Sequence, residues 1–495
     1  MTQTQTSRSA EGVSKPGAAR PLCVDLDGTL VATDTVWEAI LHLLRYRPWV
    51  VWRLPVLAAQ GLPNLKAWLA DEVVVDVATL PYRSAVVEFL KQQKSDGRRL
   101  ILATGADERF ARDVAAHVGL FDEVVGTRTG RNCTGSGKCQ AIASTLGDGV
   151  AFDYIGDSRA DVAVWQSADR AYMVNPTSSV HRRVHAGGRL EQVFRDPGGG
   201  NRLMALLVSM RPQQWVKNLL LAAPMLLGQQ LFDPVRWWLL LVAIACFSLA
   251  ASVVYLINDL FDLKADRLHP SKRHRPLAAG VLPIPWALAA VPVLLVMALG
   301  LAAAVLPAAF VGLVAGYVAL ALMYSWAVKG KAILDVIWLA GLYTLRLIAG
   351  GVAVAVLPSA WLLGLSMFCF LSLAFAKRYA ELGRIAREQG TAAAGRDYQV
   401  SDMSLIGTAG LVAGYMAVLV FALYINSDVV TELYTQPVAL WLICPLLVYW
   451  FTRLWLKAHR QEMRDDPLMF TLTDPATYGV GLLVVIVAVV AAWPG

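Results

Sequence analysis

Charge is scarce in this chain: 16% of its 495 residues are charged, while 56% are hydrophobic. That balance excludes a wholly soluble globular protein. The first part, to about residue 200, lacks any uninterrupted apolar run of about 20 residues, whereas such runs recur from about residue 218 to the end. A soluble part therefore precedes a polytopic membrane part. Cysteine is sparse as well. The six cysteines are scattered, and the closest two, Cys133 and Cys139, have no second pair to complete a metal site, so they read as free thiols in a reducing compartment. Residues 1–20 lack the apolar core of a signal peptide and, being polar and rich in Ser, Thr, Gly and Ala, are expected to be disordered. There is no convincing internal repeat, and the polar groups cluster on one side of the predicted spans, which argues against a transporter or lipid-binding protein with a midplane site.

The net charge of +7 is unevenly placed. Cations fall at Arg211 and Lys217, Lys264 to Arg275, Lys329 and Lys331, Lys377 to Arg396, and Arg453 to Arg464, whereas the short connections between these groups carry only Arg236. Cationic loops face the cytoplasm. The alternation fits about nine spans, near 218–232, 236–257, 284–304, 307–325, 333–356, 359–376, 405–425, 437–455 and 478–493. The expectation is a multi-pass protein of the cell inner membrane with a cytoplasmic N-terminal domain and an outward C-terminus. Anionic lipid and phosphate substrates account for the basic charge, so no nucleic-acid partner is needed. A homo-oligomer is compatible with the sequence.

Within the soluble part, Pro21 to Leu30 (PLCVDLDGTL) reads as a short strand ending in an Asp-x-Asp-Gly-Thr turn. A second apolar run, Arg99 to Ala103, ends in Thr104-Gly105, and a third, Ala151 to Ile155, ends in Gly156-Asp157-Ser158 with Asp161 following. Helical stretches lie between them, at 84–94 and 108–118. Strands alternating with helices predict a parallel α/β sheet, with Asp25, Asp27, Thr104, Asp157 and Asp161 at one edge. Taken singly, each acid is an ordinary turn or cap residue. As an ordered set they resemble the haloacid dehalogenase (HAD) superfamily of phosphohydrolases over 21–194. The resemblance implies that Asp25 is the nucleophile and Asp27 the general acid/base, with Thr104 on the phosphoryl oxygens. It also implies Mg²⁺ held by Asp25, Asp157 and Asp161, with Asp27 among the metal-site carboxylates. A lysine is expected too: Lys138, in a loop that also carries Arg128 and Arg131. The insert at about 33–81, rich in Trp, Leu and Arg, would be a helical cap, packed on the core by its apolar face or placed at a membrane interface. Residues 195–202 (with Arg195 to Asn201 reading RDPGGGN) read as a linker.

The membrane part, 203–495, carries its most concentrated chemistry where the apolar run 237–257 ends. There Asn258, Asp259, Asp262 and Asp266 are spaced to share one helical face, and Lys264, Arg267, Lys272, Arg273 and Arg275 follow closely. Clustered acids call for a cation, and Mg²⁺ shared with a phosphorylated substrate is the usual answer. The basic residues are suited to phosphate oxygens. Arg211-Pro212-Gln213-Gln214-Trp215-Val216-Lys217-Asn218 opens the first expected span, and Tyr324 and Lys329 lie in a later cationic loop. Arg346 sits inside an apolar run, where it must face a cavity or pair with an aspartate. Lys377 opens the loop that also holds Glu381, Asp397 and Asp402, and the last cytoplasmic loop brings Arg464, Asp465 and Asp466 and then Asp474.

The Asn-Asp-x-x-Asp-x-x-x-Asp-Arg pattern at a cytoplasmic span end resembles the UbiA superfamily of intramembrane prenyltransferases. Members using prenyl diphosphates carry a second DxxxD motif, which Glu381, Asp397 and Asp402 do not reproduce. The RPxQWxKN opening, the Tyr/Lys loop and the LRxxAG-type segment Leu345 to Gly350 are instead similar to the decaprenyl-phosphate phosphoribosyltransferase branch. That resemblance implies transfer of 5-phosphoribose from phosphoribosyl diphosphate to a polyprenyl phosphate at the membrane lipid. Asp259, Asp262 and Asp266, with Asn258, would then hold Mg²⁺ on the leaving group, Asp259 and Asp262 being the catalytic pair. Lys217, Lys264, Arg267, Lys272, Arg273, Arg275, Tyr324, Lys329, Arg346 and Lys377 would bind substrate. The HAD-like part would then remove the 5-phosphate. The rival expectation is an aromatic prenyltransferase fused to a phosphatase of unrelated substrate.

Overall fold

The computed structural model describes residues 20–147, 149–196, 201–228, 232–388, 390–392, 395–428, 430, 434–463, 467–471 and 473–493. The disorder expected for the N-terminus up to residue 19, the glycines of the linker at 198–200, and Arg464, Asp465 and Asp466 lie outside these residues. The chain forms two compact units. One runs to Ser209 and takes in Leu256–Ala290; the other is Met210–Tyr255 with Val291 onward.

The first unit is built on a six-stranded parallel sheet of order β3-β2-β1-β4-β5-β6, with β1 Leu22–Val24, β2 Leu100–Asp107, β3 Glu123–Thr127, β4 Asp153–Gly156, β5 Ala171–Val174 and β6 Leu190–Phe194. β1 lies centrally, with Cys23 beside Ile101 on one flank and Tyr154 on the other. Leu22, Val24, Leu100, Leu102 and Ile155 are wholly buried, as expected of strands covered on both faces. The order reverses between β1 and β4, so the ends of these two strands open a crevice of the kind in which α/β sheets bind ligands. The expected cap is helical, with helices Thr35–Tyr46, Arg53–Ala59 and Leu62–Glu72. Its own small core joins Ala39, Leu43, Leu65, Leu69 and Val73. Trp49 and Trp52 stay exposed.

Among the described residues eight helices are long and apolar enough to cross a membrane: Pro234–Phe261, Ile284–Val305, Ala308–Val328, Leu334–Ala353, Ala360–Arg387, Val400–Ile425, Pro437–His459 and Pro475–Ala492. Two of them, the first and second, share residues with the first unit. The ninth expected span, 218–232, is not such a helix. Its place is taken by a 3₁₀ stretch, Pro212–Ala222, and a short α-helix, Ala223–Leu227. Arg211 enters it with φ 55°, and Pro212 and Pro224 each remove a helix donor. At ~2.0 Å rise per 3₁₀ residue and ~1.5 Å per α residue, this segment still extends roughly 30 Å. It is packed closely against the helix Leu334–Ala353, since a Cβ on Gly350 would lie 2.0 Å from the Leu221 carbonyl oxygen. This contact gives the LRxxAG segment a structural reason for its glycine.

Asp335 of the second unit is fully buried. It accepts from Arg378 at 2.6 Å, Tyr398 at 2.6 Å and Arg396 at 3.3 Å, and Arg378 also reaches Glu381 at 2.6 Å and the Tyr324 hydroxyl at 3.2 Å. Such a network is stable only when complete. An Asp335→Ala protein is expected to lose about 3 kcal/mol, read as a lowered thermal unfolding midpoint in detergent; an unchanged midpoint would show that the network is not structural.

Candidate functional site

Asp25 follows β1 directly, and Asp157 follows β4, so both carboxylates stand at the crevice. Asp25, Asp157 and Asp161 each present an oxygen within 4.8 Å of the others. Gly28 makes room for them: its φ is +75°, and a Cβ there would lie 2.3 Å from Asp157 Oδ2. Three converging carboxylates with a glycine-lined space fit a hard divalent cation. Lys138, from the helix Ser136–Leu146, donates to Asp25 at 2.9 Å, Asp161 at 2.9 Å and the Tyr154 hydroxyl at 2.8 Å. Its loop rival Arg128 pairs instead with Glu108. Asp27 accepts the Thr35 backbone N–H at 2.9 Å and the Thr35 hydroxyl at 3.3 Å. Thr104 is buried, and its hydroxyl accepts from the Ala106 N–H at 3.0 Å.

Burial sets the acidities here. It pushes the Asp25 carboxyl up to about 6. Asp27 and Asp157 are raised well above the carboxylate range, first by burial and then by neighbouring aspartates. Burial alone would depress Lys138, but Asp25 and Asp161 outweigh it and hold the ammonium above its ordinary value. Asp161 goes the other way, below its ordinary value, because Lys138 and Tyr154 outweigh its burial. Asp27 and Asp157 are therefore both stabilised as acids, while Lys138, bonded to Asp25 and Asp161, stays charged. Phosphoryl transfer to a carboxylate needs such a pairing.

Two cations lining this crevice carried no sequence signal. Lys66 comes from the cap helix Leu62–Glu72 and donates to the Gly105 carbonyl at 2.6 Å, and Arg83 donates to the Gly28 carbonyl at 3.2 Å. Each is a lone cation in an unremarkable stretch, so only the fold brings it to the site.

The acidic stretch after the apolar run belongs to the same unit. The helix Pro234–Phe261 ends at Asp262, and a short helix, Leu263–Leu268, continues. The shared helical phase survives the break, because Asp262 N–H donates to Asn258 O and Asp266 N–H to Asp262 O, both at 2.8 Å. Asp259 and Asp266 are buried and both accept from Arg275, so these two carboxylates are close enough to share one cation. Two predicted phosphate ligands turn out to face the cap. Arg267 makes a two-pronged bond to Glu38, at 2.5 and 3.2 Å, and Lys264 pairs with Asp76 at 2.7 Å. Asp262 lies 3.9 Å from Arg45. Lys272 and Arg273 stand in the turn just beyond, Arg273 exposed.

In the second unit Arg346 is buried, and its partners are neutral: Asn218 Oδ1 at 3.0 Å, the Leu342 carbonyl at 2.7 Å and the Tyr317 hydroxyl at 3.0 Å. It stacks on Tyr317 and Tyr343, and Lys217 lies over Tyr343 too. Among the described residues Arg346 has no carboxylate partner, so the expected alternative of a buried ion pair is not what is seen. Tyr324 is committed to Arg378. Lys329 follows a π-helical turn, Tyr324–Val328, and Lys377 sits half-buried in the helix Ala360–Arg387. Glu381 is paired with Arg378 and, at 3.4 Å, with Arg396. Asp402 caps a turn by accepting from Gln399 N–H at 2.9 Å.

Residues 219–474, just over half of the chain, match the UbiA prenyltransferase family. This chain belongs to that family. Residues 22–166 of this UbiA-family protein match the haloacid dehalogenase-like hydrolase family, so both resemblances read from the motifs are borne out. The protein is 33% identical over 466 residues to an uncharacterised protein, y4nM, of Sinorhizobium fredii, spanning 94% of this chain and 89% of that one. It is 36% identical to the nodulation protein NoeC of Azorhizobium caulinodans, over 55% of this chain and 88% of that one. It is 41% identical over 206 residues to the decaprenyl-phosphate phosphoribosyltransferase of Mycobacterium tuberculosis, spanning 41% of this chain and 67% of that one. The UbiA-family protein is thus a multi-pass membrane enzyme of the prenyltransferase type fused to a HAD-like phosphatase.

Proposed function

We propose that the membrane part transfers 5-phosphoribose from phosphoribosyl diphosphate to a polyprenyl phosphate, and that the HAD-like part then removes the 5-phosphate to leave polyprenyl-phosphoryl ribose, a sugar donor for the cell envelope. The observation that carries the choice of donor is the state of the second acidic position. Glu381 is tied up by Arg378 and Arg396, and among the described residues the buried guanidinium of Arg346 lacks a counter-ion. With no second acidic set free among the described residues, a prenyl diphosphate held between two acidic motifs is disfavoured, and a buried cation without a counter-ion suits a phosphate group. The similarity to decaprenyl-phosphate phosphoribosyltransferases points the same way.

In this reading Asp259, Asp262 and Asp266, with Asn258, hold Mg²⁺ on the diphosphate. When bound, the ion offsets charge on the departing pyrophosphate. The lipid phosphate is already ionised, so its oxygen attacks the anomeric carbon without a general base, and the C1–O bond to the diphosphate breaks with its electrons. Arg346, Lys217, Lys272, Arg273, Arg275, Lys329 and Lys377 are the cations proposed for the phosphate groups. In the phosphatase, Asp25 attacks phosphorus while Lys138 offsets the equatorial charge. Asp27, held by Thr35, gives its proton to the leaving 5-hydroxyl. It then takes one from the water that frees Asp25. The Asp25, Asp157 and Asp161 carboxylates would hold Mg²⁺ there. Thr104, whose buried hydroxyl accepts from the Ala106 N–H, is the residue proposed for the phosphoryl oxygens.

We place the phosphatase in the cytoplasm and the protein in the inner membrane. With cationic loops inside, eight helices alone would leave the chain before Pro234 outside. The 3₁₀ stretch Pro212–Ala222 with the helix Ala223–Leu227, roughly 30 Å together, would supply the ninth crossing.

Mass spectrometry of the lipids tests the donor. Phosphoribosyl diphosphate with polyprenyl phosphate is expected to give a ribosylated lipid, and prenyl diphosphate with hydroxybenzoate no product; the reverse result would make the protein an aromatic prenyltransferase.

A further inference from the structure

The crevice holding Asp25, Asp27, Lys138 and Asp157 opens into a cavity of about 1310 Å³. A small phosphorylated metabolite needs far less, since pockets of ~300–1,000 Å³ take whole drug-sized ligands. Part of its lining is not made by the HAD-like fold. It comes from the segment after the acidic stretch, where Leu277, Val281, Leu282, Pro283, Ile284 and Trp286 form an apolar wall of the same cavity. The rest of the lining includes aspartates and the cations Lys66, Arg83 and Lys138. The apolar wall is firmly seated: Gly280 has φ +74°, and a Cβ there would lie 2.0 Å from the carbonyl oxygen of Ala32, in the turn that follows Asp27. The wall also runs on without a break into the helix Ile284–Val305, which is long and apolar enough to cross a membrane.

We propose that this wall is a subsite for a hydrocarbon chain, so that the phosphatase acts on phosphate monoesters whose other end is a lipid, and that Val281 and Trp286 set this preference. A ligand that uses the whole lining carries both a charged group and an apolar part, since the cavity offers both. Val281 is half-buried and Trp286 is exposed, which leaves apolar surface for the chain to cover. Arg202, whose guanidinium lies over the Trp286 ring, also lines the cavity and offers a cation beside the apolar wall. The choice of head group rests on the proposed function; the chain subsite does not.

The experiment uses the full-length protein in vesicles and three probes: methyl-phosphoryl 5-phosphoribose, farnesyl-phosphoryl 5-phosphoribose and farnesyl monophosphate. Phosphate release is measured, and the farnesyl-to-methyl ratio of kcat/KM is the readout. The wild-type ratio is expected to be roughly 30, falling towards one in Val281→Asp. Trp286→Ala, a milder change outside the buried core, should lower it severalfold. A wild-type ratio near one, or a ratio of 30 kept by both variants, overturns the subsite even if both phosphoribose probes are hydrolysed. Hydrolysis of farnesyl monophosphate alone, lost in Val281→Asp, supports the subsite while refuting the phosphoribose head group.

Discussion

A full-length Asp25→Asn protein supplied with phosphoribosyl diphosphate and polyprenyl phosphate should accumulate a lipid that keeps its 5-phosphate, with phosphate release reduced by about 10⁴-fold or more. The effect is large because the amide cannot serve as the nucleophile and no other group stands in its place. The fold should tolerate the change. Lys138 loses one charged partner but keeps Asp161 at 2.9 Å and Tyr154 at 2.8 Å, and Asn fills the same volume in the buried site. Wild-type protein should give the dephosphorylated lipid under the same conditions. Identical products from the two proteins would mean that the phosphatase serves some other substrate, whatever the membrane part makes.

The second large effect is expected in the membrane part. Asp262→Ala should slow phosphoribosyl transfer by roughly 10²–10³-fold, while hydrolysis of the ready-made phosphoribosyl lipid continues. Asp262 is suited to this test because its side chain is 38% exposed and its ion pair with Arg45, at 3.9 Å, is worth little in itself. Arg45→Ala removes the same pair and leaves the carboxylate, so transfer should be nearly normal in that protein. Equal losses in the two variants would assign Asp262 to holding the cap rather than the metal.

Much of this was legible before folding. Strand-end aspartates and a four-residue spacing of acids depend on local periodicity, which survives into the structure at Asp25, Asp157 and Asp262. Even the helix break at Asp262 leaves the spacing intact, because the hydrogen bonds from Asp262 to Asn258 and from Asp266 to Asp262 persist. The 3₁₀ form of Pro212–Ala222 was not legible, since a hydropathy run does not report rise per residue. Nor were Lys66 and Arg83, which reach the crevice only through the cap and the loop after it. The partners of Lys264 and Arg267 were hidden for a further reason. A cluster of cations beside acids reads as a phosphate site, yet Glu38 lies 229 positions from Arg267, beyond any local pattern.

That last pair joins the helical cap to the acidic stretch. Both side chains are less than one-tenth exposed, so neither tolerates the loss of the other well. A chimera that borrowed a HAD-like domain without an acid at position 38 would strand a guanidinium beside the acidic motif. Through Glu38 and Arg267, a side chain of the phosphatase cap completes the pairing of a cation in the acidic stretch, so exchanging one part alone is expected to leave a charge unpaired.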